Sequence, residues 1–408
     1  MPSFFIPLTG LESSSTDLDT IANNLANLNT TAYKAQNVNF ADLFYQQFGT
    51  TGSGNPLEVG TGVQVESTET DYTEGSINTA GSSTDVAING TGFFVLNNGG
   101  TTEYSRDGDF TLTSDGYLTS NSGLSVMGYP ATNGVVNTNA PLQAIQIPVG
   151  ASEKPSATAN MSITANLDAT AAVGTTFPTE ITLYDSLGTA HTATVTYTNT
   201  GTNAWSYSIA LPTGDATGGT NLTGTLTFDA NGNLTAPAAN VTGVSFTGLA
   251  DGANNLTFNW DFYNSSGNPL VTQYASASAA SATYQDGYSS GQYQGFTVDA
   301  SGVISAQFSN GQNSPVGQLA LASVVNAQGL TVVGGNNFEA TRASGQAAVG
   351  IPGAGGLGSI EDDALEQSNV NISAEFSDLI IAQQTYEANS KAITTFDTVS
   401  QDTINMIH

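Results

Sequence analysis

Residues Leu8–Lys34 read LTGLESSSTDLDTIANNLANLNTTAYK, and Leu365–Asp397 read LEQSNVNISAEFSDLIIAQQTYEANSKAITTFD. In the first stretch Leu11, Ser14, Leu18, Ile21, Leu25 and Leu28 step by three and four residues, the spacing that lays one stripe along a helix. Only Ser14 departs from apolar character. In the second, Leu365, Ile372, Leu379, Tyr386 and Ile393 recur every seven residues, Phe376 adds a second row, and Phe396, Val399, Ile404 and Ile407 extend the apolar character. Both stretches predict amphipathic helices, within residues 1–30 and 365–408. Pro7 suits a first helical turn, where its missing N–H is no loss, and Asn29, Thr30 and Thr31 should end the first helix near Leu28. Heptad spacing at two such distant places predicts that the ends pack on each other, or on copies of the same chain, in coiled-coil fashion. Two ordinary surface helices of a globular domain are the plain alternative.

Working inward, Tyr33–Glu74 is mixed, with an apolar patch of Phe40, Leu43, Phe44, Tyr45 and Phe48 before the breaker GTTGSGNP at Gly49–Pro56. Residues 31–75 with 359–364 read as a linker that becomes ordered in an assembly. Strand signals begin near Ser76. FTLTSDGYL (Phe110–Leu118), LYDSLGTAHTATV (Leu183–Val195), LTFDANGNL (Leu226–Leu234) and FTVDASGVI (Phe296–Ile304) share one design, strand residues around an Asp/Gly turn, which predicts hairpins. Without a fixed period they do not make a solenoid. Breaks around Ile147–Ala157 and Ala275–Thr283 form a matched pair that brackets an insertion. The expected architecture is mainly β and multidomain with α-helical termini. It comprises a discontinuous β domain (76–148 with 284–358), an inserted outer β domain (149–283) and a terminal helical domain (1–30 with 365–408).

Composition narrows the chemistry. Charged residues are 10% of the 408 and the net charge is −29, because Lys34, Arg106, Lys154, Arg342 and Lys391 are the only lysines and arginines. Five scattered cations cannot neutralise a phosphate backbone, so nucleic acid is not an expected partner. Cysteine is absent, which excludes disulfides, thiolate catalysis and Cys-ligated metal. The first basic residue is Lys34, and the opening MPSFFIPLTG is broken by Pro2 and Pro7, unlike a secretory signal with its basic region and apolar run of about 7–15 residues. No apolar run approaches the roughly 18 residues of a membrane span. Repulsion between acidic copies is screened beyond about 8 Å at physiological salt, so burial of the terminal stripes must outweigh what remains.

Few motifs point to catalysis or ligands. GAGGLG (Gly353–Gly358) fits G-x-G-x-x-G, but Pro352 precedes it and no βαβ pattern surrounds it, so a flexible linker is the better reading. GYSSG (Gly287–Gly291) fits a nucleophile elbow around Ser289; the only histidines are His191, on the wrong side in chain order, and His408 in a helix that assembly should bury. Asp229, Asn231 and Asn233 have the opening spacing of an EF-hand loop, yet Leu234 and Asn240 fill the positions that need Gly and Glu, and an Asn-Gly turn explains them equally well. Two histidines make a dedicated zinc site hard to build. Paired-carboxylate glycosidase chemistry has no local support, and Trp205 and Trp260 read as β-domain core in preference to a sugar platform. No catalytic residue, cofactor site or metal site is expected, and the chain reads as a non-enzyme.

The terminal wording carries a resemblance. Leu8–Lys34, with its Asn23-Asn24 pair and Asn27-Leu28-Asn29-Thr30, is similar to the N-terminal signature of the bacterial flagellar rod, hook and hook-associated family, and Leu365–Asp397 resembles the matching C-terminal signature. INGTGFFVL (Ile88–Leu96), YSRDGDF (Tyr104–Phe110) and VMGYP (Val126–Pro130) resemble the first globular segment of that family. Leu183–Tyr197 and Gly317–Thr341 resemble its hook branch in particular. Ala32 stands where the family commonly has Gly, and Gln384 where it commonly has Arg. The resemblance implies a subunit that polymerises with itself through Leu11, Leu18, Ile21, Leu25, Leu28, Ile372, Phe376, Leu379, Tyr386 and Ile393, with terminal helices frayed until assembly. It also implies hook cap, distal rod, hook–filament junction and hook-length control proteins as partners, and an extracellular place in the flagellum reached through type III export without a cleaved signal. A distal rod-type protein, which would not be expected to carry the 149–283 insertion, is the alternative within the family. An acidic secreted adhesin or carbohydrate-binding module is the alternative outside it.

Overall fold

Four turns set the strand registers. In a computed structural model describing residues 4–50 and 56–406, Asp185, Asp229 and Asp299 each use Oδ1 to accept the backbone N–H groups two and four residues on, at 2.8–3.0 Å. Thr113 plays the same part through Oγ1, accepting from the Tyr117 N–H at 3.0 Å. The glycine of each turn, Gly116, Gly188, Gly232 or Gly302, has φ between 78° and 82°, a region free of strain only without a Cβ. All four predicted hairpins therefore form. The same bonds settle the EF-hand question: Asp229 is occupied as a turn former with Asn231 and Asn233. GYSSG joins two strands, Ala279–Gln285 and Gly291–Val298, with no helix behind Ser289, and GAGGLG is a turn closed by the Gly353 N–H on the Gly358 carbonyl. Ile407, His408 and residues 51–55 of the predicted breaker lie outside the described residues.

The chain packs as two units, Met1–Val149 with Gly295–Ala306 and Ser314–His408, and Gly150–Gln294 with Gln307–Asn313. The second is a pair of sheets. Thr176–Tyr184, Ala190–Gly201, Ala204–Ala210, Thr223–Phe228 and Leu234–Ala236 run as an antiparallel meander. In the other sheet Asn160–Asp168 is central, parallel to Leu256–Asp261 and Val271–Tyr274 and antiparallel to Ala279–Gln285. Strict alternation buries every second residue of Asn160–Asp168 and most of Ala190–Gly201, the pattern of strands with one dry face. Met161, Ile163, Leu167, Val195, Trp205 and Trp260 fill the space between. Trp260 lies edge-on to Tyr207 at 4.7 Å and stacks on Phe262 at 4.8 Å, so both tryptophans are core.

In the first unit, Phe93–Asn98 pairs with Thr101–Ser105, Ser125–Thr132 and Leu321–Ser323. Tyr72, Phe93 and Phe338 form an aromatic trio with centroids 5.5–6.0 Å apart. The two helices are α1, Phe5–Ala26, and α2, Ile372–Met406. The segment expected to be a linker is instead paired strand: Gln36–Asp42 with Val63–Thr70, and Tyr45–Thr50 with Pro56–Gly60. Its apolar patch stays outside, with Phe44 91% and Phe48 68% exposed. Two expected helix bounds move inward. The Asn27 side-chain amide turns back to the Asn23 carbonyl at 2.9 Å and stops α1 before Leu28. Leu365 belongs to the strand Ala364–Glu366, paired with Ile77–Thr79, so the heptad row of α2 begins at Ile372.

That strand carries the only carboxylate of two buried ion pairs. Glu366, with its side chain fully buried, accepts from Lys34 Nζ at 2.5 Å, Arg106 Nε at 2.8 Å and the Gly75 N–H at 2.8 Å. Arg106 spends its remaining donors on the Ile88, Gly90 and Gly92 carbonyls, and Lys34 on that of Thr73. Burial pulls the Lys34 pKa down, against the pull of Glu366. The Glu366 carbonyl also accepts from Ala32, whose φ of 55° is the conformation in which the family's commoner glycine is unstrained. Beside Arg106, burial and the carboxylates of Asp109 and Asp85 push Asp107 up to about 6.

Removing one partner of a buried pair strands the other charge. Glu366→Gln is expected to cost about 3–5 kcal/mol in urea denaturation, while the exposed Glu361→Gln stays within about 0.5 kcal/mol. Asp107, with a raised folded-state pKa, contributes stability below the ordinary carboxylate range that is lost as pH rises through about 6. Asp107→Asn should therefore stabilise by about 2–3 kcal/mol above pH 7, with the gain vanishing below about pH 4, as read from denaturation midpoints across that range.

Candidate assembly interface

The helices run antiparallel. Asn24 near the end of α1 donates to Glu375 Oε1 near the start of α2 at 3.0 Å, and Gly10 faces Asn389 so closely that a Cβ there would lie 2.8 Å from Nδ2. Gly10, Ser14, Asp17, Ile21 and Asn24 step by three and four along the α1 side of the seam, and Glu375, Ala382, Thr385 and Asn389 step by seven, three and four along α2. This coiled-coil spacing is filled with small and polar groups. Ser13, Ser14, Ile21, Asn24 and Ala382 are buried, and the Ser14 hydroxyl is satisfied by the Gly10 carbonyl at 2.7 Å. Small residues let the backbones approach; they leave little apolar area to hold the pair.

The predicted apolar rows flank this seam. Of the α1 residues, Ile21 is buried and Leu11, Leu18 and Leu25 are half-buried; Leu28, past the helix end, is half-buried too. On α2, Leu379 and Ile393 are half-buried, while Ile372, Phe376 and Tyr386 are 46%, 52% and 37% exposed. Ile380 and Ile381, which the heptad count passed over, are exposed as well. In α2 only Ala382 is buried. The α1 row is thus largely covered within the single chain, and the α2 row is left mostly open.

Polar residues that the periodicity could not single out fix the helix pair to the sheets. Asn24 holds the Gln36 backbone in both directions, donating to its carbonyl at 2.8 Å and accepting its N–H at 3.0 Å, and it also receives the Tyr33 hydroxyl. Asn369 does the same ahead of α2, accepting the Ala35 N–H and donating to the Asp71 carbonyl, both at 2.8 Å. The signal was present as asparagine inside an otherwise apolar period, where propensity alone disfavours it. An acidic group sits across the seam: burial, with Asp378 nearby, raises the Asp17 pKa, and burial raises Glu375 despite the Asn24 bond. Among the described residues no helix is long and apolar enough to cross a membrane.

Comparison with known proteins bears on this arrangement. Residues 8–34 match the family described as Flagella basal body rod protein, 126–288 the Flagellar basal body protein FlaE D2 domain, and 361–406 the Flagellar basal body rod FlgEFG protein C-terminal. The flagellar hook protein FlgE of Treponema pallidum is 33% identical over 100% of this chain and 99% of its own, and that of Salmonella typhimurium 34% over 99% and 100%. The crystal structure of Helicobacter pylori flagellar hook protein FlgE2 covers 71% of this chain and 100% of its own with a TM-score of 0.55 at 16% identity, a likeness of fold. With full-length identity above 30% to hook proteins, and family matches at both helical ends and across the second unit, the chain belongs to the flagellar hook protein family.

Proposed function

We propose that the chain is the structural subunit of a bacterial flagellar hook, stacking head to tail into a curved helical tube that works as a universal joint between rod and filament. One observation carries the reading: α2 presents exposed apolar side chains, Ile372, Phe376, Ile380, Ile381 and Tyr386, beside a seam of small and polar groups that does not cover them. Each large side chain that a neighbouring copy buries contributes about 1.5–3 kcal/mol, and a heterologous contact repeated along a helix builds an open tube. Leu11, Leu18, Ile21, Leu25, Leu28, Ile372, Phe376, Leu379, Tyr386 and Ile393 are the proposed assembly residues. Terminal segments 1–30 and 365–408 form the inner layer, 31–75 with 359–364 joins it to a discontinuous β domain of 76–148 and 284–358, and 149–283 lies outermost. The division of the chain near Gly150 and Gln294 supports treating the insertion as a unit of its own. Outward Thr, Asn and Gly contacts of modest strength slide as protofilaments lengthen and shorten, while the helices stay joined.

By the same reading the subunit meets a hook cap, distal rod, hook–filament junction and length-control proteins outside the cell, reaches them through the flagellar export apparatus, and catalyses nothing. Phe376→Ser and Leu18→Asp test it. Phe376 is exposed, so its variant should unfold within about 0.5 kcal/mol of the parent, while the half-buried Leu18 variant loses about 1–2 kcal/mol and stays folded; electron microscopy of concentrated protein should show tubes only for the parent. Tubes from both variants would sink the assignment. Hydrogen exchange should find α1 and α2 the fastest-exchanging helices in the monomer and protected in the tube; slow exchange in the monomer would mean the rows are not held for assembly.

A further inference from the structure

Three turns of the second unit converge on one histidine. Asp185 lies in the turn between Thr176–Tyr184 and Ala190–Gly201, Asp215 precedes the strand Ala216–Thr220, and Asp251 follows Val241–Leu249. His191, 6% exposed, faces all three: Nε2 is 3.1 Å from Asp185 Oδ2 and 3.7 Å from Asp251 Oδ2, and Nδ1 is 3.5 Å from Asp215 Oδ2. Three carboxylates surround one imidazole, and among the described residues no lysine or arginine pairs with them.

We propose that Asp185, His191 and Asp251 form a site for a divalent transition metal of the zinc class, with Asp215 as a positioning residue. Their three ligand atoms lie within 4.8 Å of one another. Atoms bound at 2.0–2.1 Å in a tetrahedron stand about 3.3 Å apart, and the His191 separations of 3.1 and 3.7 Å bracket that value. The opposite ring nitrogen facing a carboxylate is the arrangement that orients metal-bound histidines. Asp185 is held ready: its Oδ1 is tied by the Leu187 and Thr189 N–H groups, leaving Oδ2 for the site. Asp251 is partly exposed, which leaves the fourth position open to solvent. One imidazole with carboxylates suits zinc above calcium or magnesium, which take oxygen ligands.

Equilibrium dialysis of the full chain against Zn²⁺ tests the site. One Zn²⁺ per chain should be retained, excess Ca²⁺ or Mg²⁺ should not displace it, and the unfolding midpoint of the second unit should rise with Zn²⁺. His191→Gln and Asp251→Asn should each abolish retention, and Asp215→Asn should weaken it by about 10- to 100-fold. Asp251 is at a loop, so its variant remains informative if His191→Gln fails to fold. No retained zinc, displacement by Ca²⁺, or retention unchanged in Asp251→Asn would overturn the proposal.

Discussion

The buried carboxylate of Glu366 is the constraint on which the first unit depends. It sits where the chain leaves the sheets for α2, and its partners come from the segment after α1 and from Arg106, just past the strand Thr101–Ser105. Two of the five lysines and arginines of an acidic chain are spent here. A buried triad of this kind adds little net stability compared with apolar residues of the same shape. What it adds is registry: three distant segments must meet in one arrangement, because any slip leaves a charge without a partner. The carbonyl of the same residue receives Ala32, so the paths into and out of the helix pair are tied at one point.

From that tie the helices extend as a pair whose seam shares Ile21 with the α1 row but leaves most of the α2 row to one side. Gly10, Ser14, Asn24, Ala382 and Asn389 bring the backbones close, while Leu18, Phe376 and Tyr386 lie to the side. A subunit that satisfied its own apolar rows would have none left for a neighbour. The polar seam therefore keeps the single chain weakly closed and the assembly surface available, and the raised pKa values of Asp17 and Glu375 mark the electrostatic cost of closing it.

The sequence was most legible where the determining contacts are local. Helical period, the Asp-headed turns and the tryptophans of the second unit follow from neighbours within a few residues, and the family wording follows from whole motifs. What it concealed depends on partners outside the local window, in some cases hundreds of residues away. Periodicity finds the largest apolar stripe, which includes Ser14 and Ile21 on α1, and cannot say that Asn24 is buried beside them. Leu365 obeys the heptad but belongs to a strand, because Ile77–Thr79 offers it a ladder. The patch at Phe40–Phe48 resembled a linker because its strands bury little, and His191 looked isolated because its carboxylates arrive from three separate turns.

Those turns have a further consequence, for the order in which the chain folds. Each closes a loop of a few residues, and its leading Asp or Thr already satisfies the loop's own N–H groups, so the entropy of closure is small and is met on the spot. Hairpins of this kind form in microseconds. The parallel pairings of Asn160–Asp168 with Leu256–Asp261 and Val271–Tyr274 instead join strands about a hundred residues apart and must wait for everything between them. A chain folding from the unfolded state thus acquires its hairpins as separate pieces first, and the second unit becomes cooperative only when its central strand finds its late neighbours.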